Sequence, residues 1–113
     1  MNEITIKLRD RFGTTSLGPR FWGVELRKEI LITLNDVDAV AVFDFEGIEY
    51  VSSGFAKELF GELFRELKGA FRNRTRIKIP PTDKFIRSSI VRGIASVAGS
   101  QENTIHDRQK TPA

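Results

Sequence analysis

Residues 39–45 read A-V-A-V-F-D-F, an almost unbroken apolar run in a chain of 113 residues. A strand with one wet face alternates apolar and polar side chains. A strand that is apolar at consecutive positions needs cover on both faces, as in the centre of a parallel sheet. This run therefore fixes the class of fold before anything else does: it needs flanking strands and packed helices, and the rest of the chain supplies candidates for both.

Residues 4–9, I-T-I-K-L-R, place Ile4, Ile6 and Leu8 on one side with period two and predict a half-buried strand. Breakers follow from Gly13 to Gly18, and Pro19 then suits a helix start, where its missing N–H is no loss. Phe21, Trp22, Val24, Leu26, Ile30, Leu31 and Leu34 make the apolar side of a helix over 19–34, closed by Asn35-Asp36. Beyond the central run, Phe55, Leu59, Leu63, Phe64 and Leu67 recur at helical spacing and predict a helix over 53–68. Residues 75–79, T-R-I-K-I, alternate again, and Pro80-Pro81 stop them; the basic outer side chains suit a sheet edge, where charge discourages further pairing. A third helix over 82–98 begins at Thr82 or Asp83 and buries Phe85, Ile86, Ile90, Val91, Ile94 and Val97. The polar residues 99–113 are expected to form a mobile tail. The order β-α-β-α-β-α predicts one small α/β domain over residues 1–98, a mostly parallel sheet layered with helices.

Composition narrows the chemistry. There is no cysteine, so disulfides, thiolate metal sites and a cysteine nucleophile are excluded. The one histidine, His106, stands in the expected tail, away from any metal-site or triad pattern. No phosphate-loop or dinucleotide glycine motif occurs, and no cofactor is expected. Apolar runs fall far short of the roughly 20 residues that span a bilayer. The opening residues do not resemble a secretion leader, so the cytoplasm is the expected compartment. Charge is unevenly distributed: residues 1–67 carry 8 Lys and Arg against 12 Asp and Glu, whereas residues 68–113 carry 10 against 3.

The richest segment is residues 43–60, F-D-F-E-G-I-E-Y-V-S-S-G-F-A-K-E-L-F. It runs from the end of the central strand through a short loop to serines at a helix start, the place where open α/β sheets meet ligands and partners. Ser52 or Ser53 is a natural N-cap. A phosphate there would meet the positive end of the helix dipole, opposed by the like charges of Glu46 and Glu49. Asp44 interrupts an apolar strand. Either it caps the following loop from the strand's exposed end or it pairs with a cation such as Arg20. Trp22 reads as core rather than as a base-stacking platform. Glu46 and Glu49 lack the burial or metal that would make them an acid–base pair, and no catalytic set is completed, so a non-enzymatic role is expected.

The strand, then V-S-S-G-F at a helix start, resembles the signature of STAS domains (sulfate transporter and anti-sigma-factor antagonist). In bacterial members of that family a serine at this place is phosphorylated by a kinase-like ATPase, and the equivalent here is Ser52. Val51 stands where those domains carry aspartate. A closer resemblance is to the STAS-like family of unknown function. It rests on Arg20, Asp44-Phe45, Gly47, Ile48, Val51 and Gly54-Phe55-Ala56-Lys57-Glu58-Leu59-Phe60, and spans residues 4–80. The resemblance implies a STAS-like fold and a regulatory role beside a protein partner, a kinase-like ATPase or a transcriptional regulator. The expected partner surface is the 46–58 loop and helix with Arg20, Glu46, Glu49, Gly54, Phe55 and Lys57, and serine phosphorylation at Ser52 or Ser53 is the expected switch. The alternative is a nucleic-acid-associated protein using the basic residues Arg72, Arg74, Arg76, Lys78, Arg87 and Arg92.

Overall fold

A computed structural model describes residues 2–36, 38–80 and 84–110, with side chains described as far as Val97. Strand β1 (Asn2–Lys7) runs directly into a short helix α1 (Leu8–Phe12), which Gly13 ends in a left-handed conformation at φ 65°. Strand β2 (Ser16–Leu17) and helix α2 (Arg20–Thr33) follow, the latter beginning immediately after Pro19. Strand β3 (Ala39–Asp44) is the apolar run, and β4 (Tyr50–Val51) precedes helix α3 (Ser53–Ala56). The helix continues through a π-helical segment (Lys57–Gly61) into α4 (Glu62–Leu67). A 3-10 turn and α5 (Phe71–Arg74) lead to β5 (Thr75–Lys78), and α6 (Lys84–Lys110) closes the chain.

Strands β1, β3 and β5 form a parallel sheet in that order, with β3 central. A second, two-stranded parallel sheet pairs β2 with β4. The predicted strand–helix alternation is thus present, and 75–79 is the edge that its charge implies. Four features depart from expectation. Leu8, expected as the last inward residue of β1, instead opens α1 and is fully buried there. The two-residue strands β2 and β4 are too short to leave a periodic signal. Phe85 and Val91, expected in the core, are exposed on α6, whose buried positions are Ile86, Ile90 and Val97. The last helix continues through Lys110, past the boundary at 98, because after Gly99 no glycine or proline interrupts it before Pro112. Thr82 and Asp83, its expected start, lie outside the described residues.

The core forms where the helices meet the helix-facing side of β3. Ala39, Ala41, Phe43 and Phe45 join Leu26, Ile30, Phe55, Leu59, Phe60, Leu63, Ile86 and Ile90 in one apolar cluster. Phe60 meets Phe43 edge-on, with ring centroids 5.0 Å apart. Close approach of the helices rests on glycines, among them Gly93 and Gly23. A Cβ on Gly93 of α6 would lie 2.8 Å from the Ala56 carbonyl oxygen, and one on Gly23 of α2 would lie 2.8 Å from that of Phe55. Glycine is required at both places by backbone contact rather than by backbone angle.

Val40 and Val42 point to the other side of β3. They are 4% and 5% exposed yet stand outside the helix-facing cluster. Their registered neighbours are Glu3 and Thr5 on β1 and Arg76 on β5. An ion pair from Arg76 to Glu3, 2.6 Å long, joins the two edge strands across β3.

Candidate functional site

At the carboxyl end of the sheet, β3 gives way to a tight turn in which the Ile48 N–H donates to the Phe45 carbonyl. Gly47 holds a φ of +83° there, a conformation costly for other residues. Asp44 Oδ1 accepts from the Glu46 N–H at 3.0 Å, so Asp44 takes the first of its two expected roles, capping the loop. Arg20 pairs elsewhere. An open cleft of about 680 Å³ lies beside this turn, lined by Lys7, Arg9, Asp10, Gly13, Asp44, Glu46 and Gly47.

The loop leads into β4, pinned to β2 by the Ser52 N–H donating to the Leu17 carbonyl. Ser52 is the N-cap of α3: its hydroxyl accepts from the Phe55 N–H at 3.0 Å and donates to the Gly18 carbonyl at 2.7 Å. Ser53, by contrast, is exposed. Glu46, Glu49, Tyr50 and Lys57 are also exposed, and Gly54 lies against the aliphatic part of Arg20. Phe55 does not belong to this surface. It is fully buried and meets Phe12 edge-on at 6.0 Å, because its position three residues after the cap turns it under the helix. Trp22 packs in the same layer, stacked on Phe12 at 4.8 Å.

Beside this surface lies an ion triad not anticipated from the sequence. Glu58 of the π segment accepts from Arg20 Nε at 2.7 Å and from an Arg27 guanidinium nitrogen at 3.1 Å. The same Arg27 nitrogen donates to the Glu58 carbonyl at 2.8 Å, supplying a donor where the helical ladder changes register. Burial pushes the Glu58 carboxyl up, but hydrogen bonds from Arg20 and Arg27 outweigh it and hold the group below the ordinary carboxylate range. The signal was present: Arg20 and Arg27 are seven apart and share one face of α2.

The basic residues do not form one patch. Arg74 is spent on the backbone, donating to the Leu34 carbonyl at 2.6 Å and to those of Asp36 and Ala39. Arg76 is held by Glu3. Arg72, Lys78, Arg87 and Arg92 are exposed but are divided among α5, the end of β5 and α6. Among the described residues no helix is long and apolar enough to cross a membrane, and no group of three or more His, Asp or Glu is placed to hold a metal.

No curated protein and no solved structure matches the chain. A family model does, over residues 23–82, which takes in α2 from Gly23 onward, the central strand, the loop, the Ser52 cap, the π segment and β5, and leaves Arg20 outside. With its parallel sheet, helix layer and strand–loop–helix junction, the chain belongs to the STAS-like domains of unknown function.

Proposed function

We propose that this chain is a non-enzymatic regulatory module of the cytoplasm, which binds a protein partner through the surface spanning residues 46–58 and Arg20. The partner class is a kinase-like ATPase or a transcriptional regulator. One observation carries the reading. Exposed Glu46, Glu49, Tyr50, Ser53 and Lys57 stand on a backbone fixed at both ends, by the Asp44 and Ser52 caps on one side and the Arg20–Glu58–Arg27 triad on the other. Tyr50, 54% exposed, offers a rigid aromatic anchor among charges of both signs.

Serine phosphorylation is the switch in this reading, with Ser52 as its site. The γ-phosphoryl group of ATP passes to Ser52 Oγ, the hydroxyl proton is lost and ADP leaves. The modified serine can no longer donate to the Gly18 carbonyl, so the side-chain tie between α3 and the segment before α2 is lost while the backbone bond to Leu17 remains. The added charge of about −1.5 to −2 also changes what the surface attracts.

The test uses the protein encoded beside this chain's gene as the candidate partner. Tyr50→Ala and Lys57→Glu alter exposed side chains and are expected to keep the fold while losing binding. Binding unchanged by both variants would refute the surface. Incubation with a neighbouring kinase and ATP should add one phosphate, absent in Ser52→Ala; no mass gain removes the switch.

A further inference from the structure

The two edges of the three-stranded sheet are not equally protected. On β5, the Phe45 N–H donates to the Lys78 carbonyl, so the backbone groups of Arg76 and Lys78 face β3 and those of Thr75 and Ile77 face outward. Antiparallel pairing of two such edges about Ile77 would set Arg76 directly against Lys78 of the other copy, a repulsive arrangement, and Pro80 follows at once.

Strand β1 is the opposite case. Its Asn2 N–H donates to the Asp38 carbonyl, so Asn2, Ile4 and Ile6 bond to β3 while Glu3 and Thr5 direct their N–H and C=O groups outward; Lys7 directs its N–H outward, its C=O opening α1 as the N-cap. The strand is exposed at every position but Ile6, which is half-buried, and Ile4 leaves apolar surface in water. An antiparallel partner must bond to the outward residues, which restricts the register to pairings among Glu3, Thr5 and Lys7. With Thr5 opposite Thr5, Glu3 of each copy falls opposite Lys7 of the other. On the helix-facing side, Ile4 of each copy falls opposite Ile6. Charge, apolar match and backbone direction agree on this one register.

We propose that β1 is a self-association edge. Two copies of this chain pair antiparallel about Thr5 on a two-fold axis, joining their three-stranded sheets into one of six strands. Lys7 makes no ion pair among the described residues, so its charge is available to the second copy.

Sedimentation of the full chain across a concentration series tests this. A reversible dimer is expected. Lys7→Glu and Glu3→Lys, each folded by circular dichroism, should each weaken association about tenfold by setting like charges opposite. Mixing these two variants, or combining both reversals in one chain, should restore it. The chain has no cysteine, so Thr5→Cys carries a single thiol. A short bifunctional thiol reagent should join it into a covalent dimer, since bonded antiparallel partners lie about 5.5 Å apart at Cα. Glu3→Cys, whose twin lies away from the axis, should cross-link far less. A chain monomeric at every concentration overturns the proposal. So does a dimer indifferent to both reversals, or equal cross-linking at positions 3 and 5.

Discussion

The two faces of β3 reach nearly the same burial by different means. On one, Phe43 is fully buried beneath the ring of Phe60; on the other, Val42 is 5% exposed with Thr5 and Arg76 as its registered neighbours. The first face is covered by packed apolar side chains. The second is bordered by polar arms, and the Glu3–Arg76 ion pair bridges it. Equal exclusion of water does not mean equal stabilisation, because close packing adds dispersion contacts that solvated polar chains supply poorly. The same contrast separates the ion pairs. In the helix layer the Glu58 and Arg27 side chains are 12% and 19% exposed, whereas Glu3 and Arg76 remain 46% and 56% exposed.

The largest expected effect is therefore on the packed face. Phe60→Ala should cost about 3–5 kcal/mol in urea unfolding, by opening a cavity against Phe43 and Phe45. A loss near 1 kcal/mol would erase the distinction. Next comes Glu58→Gln, which leaves Arg27 without its charged partner and should cost about 1–3 kcal/mol. This effect depends on pH. The folded carboxyl is held below its ordinary value, so its contribution is fully present at neutral pH and is lost as pH falls through the carboxylate range. Wild type and Glu58→Gln should thus converge in acid, and a gap that persists there would refute the charge assignment. Val42→Ala on the open face should cost about 1–2 kcal/mol, the transfer of its methyl groups with little cavity penalty. The smallest effect is Glu3→Gln, under about 1 kcal/mol and shrinking as salt is added.

Much of this architecture is legible in the sequence, because hydrophobic period is a direct record of which side faces the core. The apolar run at 39–45 announces its own centrality, and the alternation at 75–79 its edge. Period cannot say what covers a buried face, and so the polar arms over Val42 carry no signal in that run. Nor does it register a π segment. What the sequence does mark there is close packing, since Gly23 and Gly93 admit the backbone of residues 55–57. The site was legible in part. Ser52 and Asp44 cap as their residue types suggest, and Lys57, Glu46 and Glu49 are exposed. Phe55 is not, because a motif names positions without saying which way a helix turns them. The cations beyond residue 68 look alike in composition, but Arg74 is tied to carbonyl groups that only the folded chain brings together.

That last contact bears on the order in which the chain can become structured. The carbonyls of Leu34, Asp36 and Ala39 belong to the first crossover, and the guanidinium that satisfies them comes some 35 to 40 positions later. While the chain leaves the ribosome, α2 and β3 emerge well before Arg74 does. Their junction stays hydrated until the third strand arrives. The first half of the domain is therefore finished by the second, and folding is expected to wait for the whole sheet rather than proceed one strand–helix unit at a time.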